Sequence, residues 1–218
     1  MPQDPVINPA DFVSKIDNAY FPLKPGTVMV YEGSTPDGPE HIEFAVTRNT
    51  VTIMGVECVE VVDTVTVDGE LVERTSDWFA QDKDGNVWYF GEDSKDYEDG
   101  VVVSTEGSWK AGVDGALPGI IMLADPEVGD AYNQEVAPGI AEDKAIVLAD
   151  ELTRSVDYGS FREVLQTRDF TPLEPGKFEL KYYVEGIGQI LTENPLTGSV
   201  LELTTMRFIG TEGDDTIR

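Results

Sequence analysis

Residues 77–93, DWFAQDKDGNVWYFGED, set an Asp-Gly pair between two runs of β-prone aromatic residues. Asp84-Gly85 supplies the two positive-φ residues that a two-residue primed turn requires, so the stretch reads as a β-hairpin. The turn dictates a register in which Gln81 faces Trp88, Ala80 faces Tyr89, Phe79 faces Phe90, Trp78 faces Gly91 and Asp77 faces Glu92. Side chains alternate across a strand. Phe79, Gln81, Trp88 and Phe90 are therefore expected on one face with Asp77 and Glu92, and Trp78, Ala80, Val87 and Tyr89 on the other. Two carboxylates directly opposite each other repel unless a cation, an Arg or a shared proton intervenes. Arg74 has the wrong parity to intervene from its own strand.

Strand-like runs precede and follow this hairpin at short, regular spacing. Residues 27–33, HIEFAVT, the Val/Thr-rich stretch from Val51 to Gln81, AYNQEV, AIVLADELT, FREVLQTRDFTPL, FELKYYVEGIGQILTEN and SVLELTTMRFI are separated by Gly, Pro and Asp turn residues. This pattern predicts an all-β, mainly antiparallel fold, a single barrel or sandwich, with residues 20–209 forming the domain. Residues 1–19 read as an arm carrying a short helix, with Asn8 as cap, Pro9 in the first turn and Phe12 and Ile16 four apart. Ile120 to Leu123 could add one helical turn, and Glu142 to Ala149 fits either helix or strand. Residues 91–120 read as a long glycine-rich loop, the usual form of a binding segment.

Composition narrows the partners. With 42 acidic against 15 basic residues, the chain carries a net charge of −27. Nucleic acid and anionic membranes are repelled by such a field, whereas cations are attracted. No apolar run is long enough to span a membrane as a helix, so membrane insertion is not expected. The single Cys58 rules out an intrachain disulfide, and its apolar surroundings suit a buried thiol. The single His41, remote from any nucleophile elbow, excludes histidine-rich zinc sites and argues against a serine or cysteine triad. Met1-Pro-Gln-Asp shows neither a basic nor an apolar signal region.

Three kinds of chemistry survive. Asp82, Asp84, Asn86 and Asp93 could offer oxygens to calcium around the turn, although Val87 stands where an EF-hand loop needs Gly. Gln81, Trp88, Phe90, Tyr97 and Trp109 are candidates for a ligand or glycan surface. Asp77 and Glu92 form a candidate catalytic pair for polysaccharide chemistry, which needs two carboxyl groups at controlled separation beside an aromatic platform. Exposed strand edges would also allow homo-oligomers.

Two resemblances extend this reading. Pro22, Leu23, Gly26 and Tyr31 in FPLKPGTVMVYEG, with Tyr183, Gly186 and Gly188 in KYYVEGIGQ, resemble the framing strands of uncharacterised bacterial secreted or lipoprotein-like β domains. The last nine residues, GTEGDDTIR, resemble one calcium-binding nonapeptide of the repeats-in-toxin (RTX) family, matched at Gly210, Gly213, Asp215 and Ile217. The second resemblance implies calcium as cofactor, Asp215 as a ligand, a natural protein continuing past Arg218, residues 210–218 as a frayed tail, and export to the medium without an amino-terminal signal. The combined expectation is a secreted binding or structural module of a larger calcium-dependent protein, with a polysaccharide-active enzyme or an assembly module as alternatives.

Overall fold

The structure, a computed structural model, describes residues 7–36 and 38–210. Its strands are β1 (Phe12–Val13), β2 (Thr27–Thr35), β3 (Gly38–Ile53), β4 (Val56–Val67), β5 (Glu70–Asp82), β6 (Val87–Glu98), β7 (Val101–Ser104), β8 (Trp109–Lys110), β9 (Leu117–Met122), β10 (Ala131–Asn133), β11 (Glu135–Val136), β12 (Lys144–Val156), β13 (Gly159–Phe170), β14 (Glu179–Val184), β15 (Gly188–Asn194) and β16 (Ser199–Phe208). Neighbours pair antiparallel in the order β10-β12-β13-β14-β15-β16-β2-β3-β4-β5-β6-β9-β11. The two ends of that path, β10 and β11, are consecutive in the chain and separated by Gln134 alone, so the sheet curls into a nearly closed barrel.

The closure depends on close backbone approach. A Cβ on Gly119 of β9 would stand 2.2 Å from the Gln134 carbonyl oxygen, so only glycine lets the seam strands meet. Curvature comes from bulges, among them three irregularities between Val147 and Arg154 on β12. They let the tip of the β12–β13 hairpin fold back onto β16, where Tyr158 N–H donates to the Leu203 carbonyl.

The central hairpin departs from the expected register in two compensating ways. Its loop is three residues long, not two: Gly85 N–H donates to Asp82 O, Asp82 N–H donates to Asn86 O, and Gly85 takes φ +97°. This is a type I turn followed by a left-handed glycine, and Asp84 stays out of the positive-φ region that a primed turn would demand of it. Gln81 consequently faces Val87, Ala80 faces Trp88 and Phe79 faces Tyr89. A bulge between Asp77 and Phe79 then absorbs the slip, and Asp77 faces Glu92 as expected. Gly91 sits in that bulge at φ +131°, where a Cβ would meet Trp109 O at 2.4 Å. Its lack of a side chain serves the approach of β8, not the covering of a bare backbone by Trp78.

The amino-terminal arm corrects a second expectation. Asn8 caps as foreseen, its side chain accepting from Ala10 N–H, but the helix is a single 3-10 turn, Pro9–Asp11. Extended pairing of Phe12 with Asp82 and Val13 with Gln81 takes over, because Phe12 is better buried edge-on against Trp88 and Phe90 than stacked over Ile16. Residues 91–120 are likewise not one long loop: β6 runs on to Glu98, and β7, β8 and β9 follow. Ile120 to Met122 and Lys144 to Ala149 are strand, not helix. The RTX-like stretch lies, from residue 211 onward, outside the described residues.

Residues 16–23 strap across the barrel. Asn18 is 5 % exposed and anchors the strap: its amide N–H groups donate to Gly85 O and Leu123 O, and its Oδ1 accepts from Tyr20 N–H and Phe21 N–H. Asn18→Ala would leave these backbone groups unpaired in a buried setting, and should lower unfolding free energy by about 2–4 kcal/mol in urea denaturation. A loss well under 1 kcal/mol would show that the strap is not anchored there.

Candidate functional site

Inward-facing side chains of a barrel either fill it or leave room for a ligand. Here the interior retains a cavity of about 290 Å³. Its apolar wall includes Phe21 from the strap, Phe44 from β3, Phe79 from β5 and Ile121 from β9, and its polar groups include Asp63, Asp77, Glu135, Asp143 and Lys181. Phe79 is held by stacking on Tyr89, with centroids 4.7 Å apart and planes 17° apart, and by the edge of Phe21.

The Asp77–Glu92 pair is resolved by a third group. The Tyr89 hydroxyl lies 2.5 Å from Asp77 Oδ1 and 3.1 Å from Glu92 Oε2. A phenol has one proton to give, so both contacts are hydrogen bonds only if one carboxyl supplies a second proton. Burial first, then the Glu135 and Asp77 carboxyls, push Glu92 to about 9. Burial pushes Asp77 to about 7, against the opposing pull of the Tyr89 hydrogen bond. With both carboxyls raised, a proton held among the three oxygens keeps Asp77 and Glu92 from meeting as two bare charges across the Tyr89 hydroxyl. Of the three ways to relieve the repulsion, the shared proton is the one this fold uses.

Asp63 extends the acidic wall. Val61 faces Asp77 across β4 and β5, so Asp63 is the diagonal neighbour of Asp77 on the same face. Burial first, then Asp77 and Glu73, push its carboxyl to about 8, with the Thr64 backbone N–H pulling the other way. Its Oδ1 is buried without a hydrogen-bond partner. On the opposite side Glu135 is pushed to about 7, by burial first and Asp143 second. Lys181, the one cation lining the cavity among the described residues, is already engaged: its ammonium sits 3.2 Å from Asp169 Oδ2. Burial alone would lower its pKa, but Asp169 and Glu179 outweigh that and raise it, so it stays charged.

The other sequence candidates are distributed differently. Gln81 points to the strap, accepting from Asp17 N–H and Asn18 N–H and donating to Asp17. Trp88 and Phe90, turned over by the register slip, pack under Phe12, and Trp88 Nε1 donates to Asp82 Oδ2 at 2.7 Å. Tyr97 faces Val102 at the far end of β6. Trp109 is buried edge-on to Tyr89, and it lines a second hollow of about 480 Å³ with Trp78, Glu92, Asp93 and Lys110. Tyr89 therefore links two compartments, with Asp77 in the barrel cavity and Glu92 in this outer hollow.

Around the turn, the oxygens considered for calcium are largely used by the protein. Asp82 accepts from Asn86 N–H, the Asn86 amide and Trp88, and Asn86 Oδ1 accepts from Ala124 N–H. Asp84 is exposed at the tip, Asp93 pairs with Lys95, and Asp215 lies outside the described residues. Among the described residues no group of three or more His, Cys, Asp or Glu side chains is gathered so as to hold a metal ion. Cys58 is fully buried, with its thiol pushed up to about 12 by burial.

Asp63, Glu135, Asp143, Lys181 and the linking role of Tyr89 escaped the sequence reading. One signal existed for Asp63: residues 59, 61, 65 and 67 are all Val, and Asp63 interrupts that run of alternate valines. Glu135 and Lys181 come from strands whose position in the sheet no local pattern reveals.

No family model matches the chain, and no curated protein matches it. A solved structure of a candidate lipoprotein from Parabacteroides distasonis is similar at 13 % identity, over 87 % of this chain and 99 % of that one, with a TM-score of 0.44.

Raised carboxyl pKa values make the folded state bind more protons than the unfolded chain, so stability is fully present below the unfolded values near 4 and is lost as pH rises through the folded values of about 7 to about 9. Unfolding free energy should fall from pH 5 to pH 9. General repulsion within an acidic chain has the same sign, so the informative comparison is Asp63→Asn, which should flatten the slope and be more stable than the parent at pH 9. Parallel curves for the two proteins would show that Asp63 ionises in the fold as it does in water.

Proposed function

We propose that this chain is a ligand-binding β-barrel module that encloses one small, largely apolar organic molecule. The observation that carries the reading is the cavity of about 290 Å³ within the barrel, walled by aromatic and aliphatic side chains with a few polar groups converging on it. Protein interiors normally pack to crystal-like density, and cavities of a few hundred cubic ångströms with this lining are the usual form of small-molecule sites. The fold supports binding in another way: the strap and the barrel wall fix the lining residues on rigid elements, as a preformed site requires.

The wider context, a secreted module of a larger calcium-dependent RTX-type protein, rests on the spacing of Gly210, Gly213, Asp215 and Ile217. Calcium would act there, between stacked repeats, and not in the barrel. Glycan recognition is a second reading, supported by Trp78, Trp109 and Glu92 sharing the outer hollow. A glycosidase pairing of Asp77 with Glu92 has less support, since the Tyr89 hydroxyl lies between the two carboxyls where a scissile bond would need to be.

A thermal-shift screen of compact apolar molecules, followed by calorimetry on those that bind, tests the main reading. At least one should bind saturably with a stoichiometry of one, and Ile121→Phe, which fills the cavity, should weaken it about tenfold or more. Binding untouched by this substitution, or none from a panel that includes benzene-, indole- and naphthalene-sized compounds, would reject the barrel as a ligand site. Glycan-array binding in place of any such molecule would move the function to the outer hollow.

A further inference from the structure

The geometry points to a cavity ligand that carries a single cationic nitrogen, seated against Asp63 and Asp77, with its apolar body along Phe21, Phe44 and Phe79. This rests on the reading of the barrel as a small-ligand site and specifies the class of molecule.

Charge accounting within the cavity leads there. Asp63, Asp77, Glu135 and Asp143 all line it, with Lys181 as the one cation of the lining among the described residues. Lys181 is held by Asp169, whose carboxylate also accepts from Thr167 at 2.6 Å and from Gln134 at 3.1 Å, so its ammonium is committed to that partner. Lys181 also acts on Glu135 and Asp143, whereas no cation among the described residues acts on Asp63 or Asp77. Asp63 is the clearest case: the residue lines the cavity, and its Oδ1 is buried with no hydrogen-bond partner. Asp77 offers it company, because Tyr89 engages only its Oδ1.

Other occupants fit less well. An anion would meet four carboxyl groups. A metal ion wants several oxygens converging at one point, and no such gathering exists among the described residues. A neutral apolar molecule could fill the wall but would leave Asp63 Oδ1 buried without a hydrogen-bond donor, which is costly. An ammonium supplies both the counter-charge and the donors, while its hydrocarbon part lies on the phenyl rings.

The titratable groups facing Asp63 are Tyr31 on β2, Glu40 on β3, and Glu73 and Asp77 on β5, with Lys181 on the opposite wall. Among these described groups Lys181 alone can be positive. An arriving ammonium therefore favours ionised Asp63, and binding near neutral pH should expel a proton to solvent. The base-form acid and the expelled proton balance, and no other reactant is needed.

Three probes of one shape decide the matter: 2-phenylethylamine, 2-phenylethanol and 3-phenylpropanoate, titrated calorimetrically at pH 7 in two buffers of different ionisation enthalpy. The amine should bind about tenfold or more tighter than the alcohol, the carboxylate should not bind, and the apparent enthalpy should differ between buffers by the release of protons. Asp63→Asn, nearly isosteric and checked for folding by circular dichroism, should abolish the preference for the amine while leaving the alcohol within about twofold. Equal affinity for amine and alcohol, or an unchanged preference in Asp63→Asn, overturns the cationic assignment and leaves the barrel a site for neutral molecules. Calcium alone stabilising the cavity in competition with the amine also overturns it. If none of the three binds and no compact apolar molecule does either, the ligand-binding reading fails and takes this inference with it.

Discussion

Everything inside this molecule depends on a sheet that has almost no free edge where its two ends meet. An open sheet presents rows of unpaired N–H and C=O groups that recruit other chains. Here the end strands β10 and β11 are the same stretch of chain interrupted by Gln134, whose N–H donates to Asp143 O while its side chain donates to Asp169. Gly119 permits the approach and no larger residue would. Once the wall is continuous, side chains that alternate inward lose bulk water together. Acids that would be ordinary on an open sheet become costly, and their protonation becomes a property of the fold.

That cost is spread unevenly, and the unevenness separates structural from reactive groups. Glu92 and Asp77 are reconciled by Tyr89, and Lys181 and Asp169 by each other. Each set is internally satisfied and would stabilise the barrel whatever the cavity holds. Asp63 belongs to neither. A buried oxygen with no donor is destabilising unless something else compensates, and native proteins keep such groups chiefly where function requires them.

How much of this could be read from the sequence varies with the length scale. Strand content and antiparallel order followed from alternation and turn residues, and the barrel-like closure is one of the two architectures that alternation allows. Direct pairing of Asp77 with Glu92 was also legible, though through two deviations that cancel: a three-residue loop in place of a two-residue one, and a bulge at Trp78. Between the two deviations every residue of β6 changes face, since a one-residue slip inverts the pleat. That inversion brought Tyr89 to the carboxylates and took Trp88 and Phe90 to the side covered by Phe12. Asp-Gly is compatible with either loop, and nothing local in DKDGN distinguishes them. The arm failed as a helix for a tertiary reason, the burial of Phe12 on the hairpin, that no cap or propensity encodes.

Parity offers a sharper lesson than aromatic density. Rings and acids crowd in the hairpin, yet most of its rings are core and its turn oxygens serve the turn. The more telling position is Asp63, flanked on its own parity of β4 by Val59, Val61, Val65 and Val67, where an acid carries a desolvation cost that any apolar residue would avoid. Surface strands tolerate acids on their outer face freely, so only an acid on the inward parity is informative, and inward parity is defined by the valines around it. In a closed barrel such a position cannot reach bulk water by bending the strand, because both neighbours hold it in register; the acid must be matched from within the lumen, and what the lumen admits is then chosen by the acid.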